Sequence, residues 1–163
     1  MTHALNSKKF DSLCGRLKIE TEKATTSSKL AAAVISGYKI LSLGTSTNHK
    51  NHIRVGIKQT KCSLLTVHAE VSALQNLKHK CHDSRSIDLM VVRYDSEGRA
   101  CISKPCVHCV CYFECLPIRR VYYYNKEGVL VYENKRDLVS THLSCGSRHG
   151  GLEKLQYKRY LSL

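Results

Sequence analysis

The sequence has no tryptophan, no long apolar run, and no acidic residue between Lys23 and Ala69. A membrane-spanning helix needs about 20 consecutive apolar residues, so no membrane partner is expected. The first residues, Met1 to Lys9, lack the apolar core of a secretion signal. The expected location is therefore intracellular, in the reducing cytoplasm or nucleus. No internal repeat, low-complexity tract or Pro/Gly-rich linker divides the 163 residues, so one domain over 1–163 is expected. A chain of this length buries an adequate core without disulfide staples.

Nine cysteines are present, an odd number. In a reducing compartment they read as metal ligands or buried thiols rather than a disulfide framework. Five crowd into one segment: Cys101, Cys106, Cys109, Cys111 and Cys115. Of these, Cys106 and Cys109 combine ligand spacing with a preceding proline that signals a helix start. Cys14 falls on an apolar helix stripe, and the others read as small hydrophobes.

The formal net charge is +13, which favours anionic partners. The acid-free window carries Lys23, Lys29, Lys39, Lys50, Arg54, Lys58 and Lys61, and it leads directly to His68. Two readings stand side by side. The 23–69 surface either serves solubility alone or attracts the phosphates of a nucleotide or nucleic acid.

Phe10, Leu13, Cys14 and Leu17 recur at helical spacing and predict a helix over 7–20. Residues 30–35 and 38–43 predict a hairpin turning at Ser36-Gly37. A long basic loop is expected over 44–61. Thr66 is a competent N-cap for a helix to about Lys80. Residues 87–94 predict a strand, Pro105 opens a helix to about Leu116, and 121–124 with 129–132 predict a second hairpin. Leu152 to Tyr160 suggests a basic terminal helix. The order α-β-β-α-β-α-β-β fits a mixed sheet covered by helices.

His68-Ala69-Glu70 and Pro105-Cys106-Val107-His108-Cys109 carry the chemistry. They supply three side chains of zinc-ligand type and one further carboxylate. A closed structural zinc site takes four protein ligands, whereas three leave a position for water. Cys106 and Cys109, three apart, share a helix face, and a helix N-terminus favours thiolates. His68 and Glu70, two apart, serve one site only if it lies off the N-terminal end of their helix. The expectation is two helix N-termini aimed at one zinc ion. Glu70 would carry protons while water attacks a carbon bearing an exocyclic amine. H-x-E followed by P-C-x-x-C is the signature of zinc nucleobase deaminases.

On these residues the chain resembles the cytidine/deoxycytidylate deaminase superfamily. The resemblance implies an α/β, three-layer α-β-α fold with a five-stranded mixed sheet. The motif-bearing core would span about 25–140, followed by a basic tail over 141–163. It also implies Zn2+ on His68, Cys106 and Cys109, Glu70 as proton shuttle, and assembly into homo-oligomers. Members that act on polynucleotides often carry an aromatic loop before Pro-Cys or a helix between the last two strands. Here the loop 101–105 has no aromatic residue, and 125–128 is too short for a helix. The last two strands are therefore expected to be antiparallel, which resembles the branch acting on free bases and nucleosides. Candidate substrate contacts are Asn48, Ala69, Lys104 and Pro105, with Arg54 and Lys58 as further phosphate contacts. Three readings follow: a deaminase of a cytosine nucleoside or nucleotide, a deaminase of RNA or single-stranded DNA using Tyr122, Tyr123 and Tyr124 to stack bases, and a zinc-stabilised binding protein without chemistry.

Overall fold

The apolar run over residues 30–35 has no polar position to turn toward water, and it lies in a sheet covered on both faces. The structure is a computed structural model that describes residues 3–4, 8–26, 28–48, 66–77, 87–114 and 116–144. Its elements are β1 (His3–Ala4), α1 (Lys8–Thr21), β2 (Lys29–Ser36), β3 (Lys39–Thr45), β4 (Thr47–Asn48), β5 (Thr66–Val67), α2 (Ala69–Asn76), β6 (Ile87–Tyr94), α3 (Val107–Phe113), β7 (Ile118–Tyr124) and β8 (Leu130–Asn134).

The sheet order is β1-β8-β7-β6-β2-β3. Five strands make up the body, and the two-residue β1 adds a short edge beside β8. Strands β6 and β7 are parallel, joined through α3, and every other neighbour is antiparallel. This is the expected five-stranded mixed sheet, and its last two strands form the expected antiparallel pair.

Alternation along β2 divides the core. Ala31, Ala33 and Ile35 pack with Phe10, Leu13, Cys14 and Leu17 of α1. Ala32 and Val34 face the other way, with Ala69 and Ala73 of α2 and with Cys109 and Phe113 of α3. The three consecutive tyrosines of β7 alternate likewise. Tyr122 and Tyr124 lie on the α1 side and Tyr123 on the α2/α3 side. All three are buried, so they pack the sheet and offer no stacking platform.

Several boundaries differ from expectation. The first hairpin turns at Gly37-Tyr38, because Gly37 takes the loop position with φ 61° while Ser36 still pairs with Lys39. Thr66 caps no helix. It is extended and pairs with Asn48, so α2 begins only after His68. Pro105 lies one residue before the N-cap Cys106 rather than at the first helical position. The expected 44–61 loop gives up Gly44 and Thr45 to β3 and Thr47–Asn48 to β4. Ser46 between them is buried, whereas residues 49–61 of that loop, with Arg54 and Lys58, and the terminal helix over 152–160 lie outside the described residues. Among the described residues, no helix is long and apolar enough to cross a membrane.

Candidate metal centre

Two helices start at the same place. His68 is the N-cap of α2 and Cys106 the N-cap of α3, both with extended backbone (ψ 147° and 168°). Neither side chain caps its own helix. Each is turned instead toward the space between the two N-termini. His68 Nδ1 lies 3.1 Å from Cys109 Sγ and 3.5 Å from Cys106 Sγ. The ligand atoms of His68, Cys106 and Cys109 all fall within 4.8 Å of one another. An imidazole nitrogen and two sulfurs at that separation suit zinc, which takes nitrogen and thiolate donors about 2.0–2.3 Å away. His108, between the two cysteines, is half-buried and not part of the group.

Glu70 stands beside this group in the first turn of α2 and is buried. Burial pushes its carboxyl pKa upward, partly opposed by the His68 charge and by a hydrogen bond with Cys109. The two thiols divide their roles. Hydrogen bonding from Cys109 is the largest cause holding the Cys106 thiol at about 3, with His68 assisting against the cost of burial. Cys109 is pushed up by donating to Cys106 and by its own burial. His68 is raised, chiefly through its hydrogen bond with Cys106. The protein thus offers a ready thiolate at the start of α3, where the helix dipole also favours negative charge.

The scaffold holds both helix starts tightly. On the α2 side, Gly44 of β3 lets the helix backbone approach directly. A Cβ there would stand 2.1 Å from Ala73 N and 2.5 Å from Ala69 O. Ser42 Oγ donates to Ala73 O at 2.7 Å, and Asn76 Nδ2 donates to Leu43 O at 2.8 Å. On the α3 side, buried Ser103 donates to Val91 O at 2.7 Å and accepts from Tyr124 N–H at 2.9 Å. The next residue, Lys104, donates to both oxygens of buried Glu133 at 2.9 and 3.2 Å. Glu133 also accepts from the Tyr123 hydroxyl. Finally, Val107 N–H donates to His142 O at 3.1 Å, so the chain beyond β8 returns to the start of α3.

The candidate substrate residues differ in their surroundings. Lys104 is engaged with Glu133 and lies over the Tyr123 ring, 5.3 Å from its centroid. Ala69 and Pro105 are buried against the core. Asn48 is in β4, paired through its backbone with Thr66, and its side chain lies outside the described ones. Sequence reasoning missed Glu133 and Gly44. The signal for Glu133 was an acid two residues after Val131, on the inward-facing parity of β8.

No protein-family model matches the sequence, and no curated protein does. Solved structures match in shape. A cytidine deaminase from Burkholderia pseudomallei is 18% identical with a TM-score of 0.57, over 82% of this chain and 98% of that one. The dCMP deaminase of cyanophage S-TIM5 matches both in complex with dCMP and dUMP (15% identity, TM-score 0.52) and in apo form (16%, 0.52). Those matches cover 75% and 76% of this chain, and 85% and 89% of the phage enzyme. The chain therefore has a cytidine deaminase-like fold.

Proposed function

We propose that the chain is a zinc-dependent hydrolytic deaminase that converts a cytosine base, carried on a nucleoside or nucleotide, to the uracil form with release of ammonia. The observation that carries this reading is the buried Glu70 carboxyl beside the convergent His68, Cys106 and Cys109. A purely structural zinc site has no use for that carboxylate, and burying it costs free energy. His68 Nδ1 and the Sγ atoms of Cys106 and Cys109 would hold the ion. Zinc bound there supplies the polarisation that activates water at neutral pH.

The remaining work falls to Glu70. Its carboxylate accepts a proton from water and delivers it to the ring nitrogen next to the carbon under attack. It then takes the proton of the hydroxyl now bonded to that carbon and passes it to the exocyclic amine, which leaves as ammonia while the carbonyl forms. A carboxyl with a raised pKa suits both directions of transfer. The antiparallel β7–β8 pair and the buried tyrosines support a small substrate over a nucleic-acid strand.

The test is ammonia release from cytidine, dCMP and cytosine-containing oligonucleotides. Glu70→Gln is expected to lose roughly 10²–10⁴-fold in rate while keeping its zinc. If the unsubstituted, zinc-loaded protein releases ammonia from none of these, the enzymatic reading fails.

A further inference from the structure

We propose that the ring of Tyr38 and the guanidinium pair of Arg119 and Arg120 form a surface for single-stranded nucleic acid, with a base stacked on the tyrosine and phosphates on the arginines. The proposal does not rest on the deaminase reading. Tyr38 sits in the turn between β2 and β3 and is 49% exposed. Among the described residues no other aromatic side chain is exposed. Stacking on such a ring tolerates any base, because every base has a π-face.

An unbroken row of contacts joins the ring to the cations. Tyr38 meets Phe10 with ring centroids 5.3 Å apart, Phe10 meets Tyr122 at 5.0 Å, and Tyr122 meets Tyr132 at 5.5 Å. Lys9 Nζ lies over the Tyr38 ring, 4.8 Å from its centroid. At the other end of the row, the Arg120 guanidinium lies 5.5 Å from the centroids of both Tyr122 and Tyr132. Phe10, Tyr122 and Tyr132 pack on the α1 side of the sheet, so rings and cations share one face. Arg119 joins them through Asp88, whose carboxylate both arginines hold.

Asp88 fixes the arginines without exhausting them. Each donates Nε and Nη2 to the two carboxylate oxygens. A guanidinium carries five N–H donors, and among the described residues neither Nη1 has an acceptor. Two positive charges meet one negative charge, so the cluster keeps a net positive charge. The Arg119 side chain is 51% exposed and that of Arg120 29%, which leaves the remaining donors within reach of a ligand. Oriented guanidinium donors suit phosphate oxygens, and an exposed ring suits an unpaired base. An acidic peptide would satisfy the arginines but leave Tyr38 unused, and a duplex would hide its base faces. Cys106 and Cys109 lie on the opposite side of the sheet, so a strand held here is kept apart from Glu70 and is not thereby presented for reaction.

The experiment uses the full chain, zinc-loaded, and a fluorescent oligo-dT single strand, which offers the centre no cytosine. Tyr38→Leu keeps an apolar contact for Phe10 and should weaken binding by about 5-fold or more, the low end of base stacking. Tyr38→Phe should bind like the unsubstituted protein. Arg119→Gln leaves Asp88 paired with Arg120 and should make the slope of log K against log salt shallower by about 0.7, one phosphate contact on a single strand. Lys126→Gln, which removes equal charge from an exposed turn between β7 and β8, should leave the slope unchanged. If Tyr38→Leu binds as Tyr38→Phe does, or if the Arg119→Gln slope equals that of Lys126→Gln, the proposal is overturned. Poly-glutamate that binds as tightly as oligo-dT and is indifferent to Tyr38→Leu would assign the cations to an acidic peptide and overturn it equally. Should Arg119→Gln melt early, Lys9→Gln, at an exposed position of α1, repeats the salt measurement. Ammonia release plays no part in this assay, so failure here is distinct from failure of the deaminase reading.

Discussion

His68 Nδ1 lies 3.1 Å from Cys109 Sγ, although 41 residues of chain separate the two. The contact exists because α2 and α3 both begin at one end of the sheet and point their first turns at each other. Neither helix alone presents the group.

The first prediction concerns metal. Cys106→Ala, Cys109→Ala and His68→Ala should each abolish near-stoichiometric zinc, measured by elemental analysis of the purified protein. Removing zinc by chelation should lower the Tm of the unsubstituted protein, because a ligand bound only to the folded state stabilises it. The Tm of the Cys109 variant should be indifferent to chelator. Full zinc retention in all three variants would place the ion elsewhere.

Gly44→Ala should be costly for reasons of space. The added methyl meets the backbone of α2 at Ala69 and Ala73, and backbone cannot rotate aside. Overpacking of this kind costs roughly 1–3 kcal/mol or more, read as a lower denaturant midpoint. Because α2 carries His68 and Glu70, zinc affinity should fall as well. Gly15→Ala, whose Cβ would meet nothing within 4 Å, should leave zinc affinity unchanged.

Glu133→Gln tests the brace behind Cys106. The substitution keeps shape but removes the charge that holds Lys104 and accepts from Tyr123. Supporting groups around metal ligands are typically worth 10–100-fold in affinity, so a loss of about 10-fold in zinc affinity is expected by chelator competition. Lys104→Gln in the same background should cause little further loss, since the two residues act as a pair. Additive losses would show that they act separately.

Asp88 offers a contrast away from the centre. It is buried and holds both Arg119 (Nη2, 2.9 Å) and Arg120 (Nη2, 3.0 Å). Both guanidinium groups reach water, whereas the carboxylate does not. Removing both arginines strands a buried charge and should cost about 3–5 kcal/mol. Asp88→Asn leaves the arginines hydrated and should cost less, about 1–3 kcal/mol. Urea unfolding of the two variants decides the order, and zinc content should be the same in both.

Legibility of the fold followed its physics. Strand β6 was readable to the residue, Ile87 to Tyr94, because an apolar stretch interrupted only by Asp88 and Arg93, rich in β-branched residues and bounded by polar segments, reads as a strand buried on both faces. The stripe of α1 was equally plain. The starts of α2 and α3 were misread for a reason tied to the site. Sequence favours Thr66 as an N-cap, while the structure uses His68 and Cys106, which cap nothing. Those two positions make no side-chain cap hydrogen bond and turn toward each other instead, a departure from local rules of the kind expected at functional sites. Glu133 and Gly44 were hidden because their importance comes from partners distant in sequence, Lys104 and Ala73, each 29 residues away, and periodicity reports only neighbours. The pairing of His68 with Cys106 and Cys109 was legible from motif chemistry alone.

A centre assembled from the opening turns of two helices divides each helix into unequal halves. Substitutions near Asn76 or Phe113 act on the grip between layers and change how firmly the molecule is built. Substitutions at half-buried Val107, one position past the start of α3, should alter the aim of a donor atom with little change in bulk stability, whereas at buried Ala69 they should disturb both. Variation along α2 and α3 should therefore be graded by distance from the sheet's rim, with the sharpest intolerance where the chain has only just begun to coil.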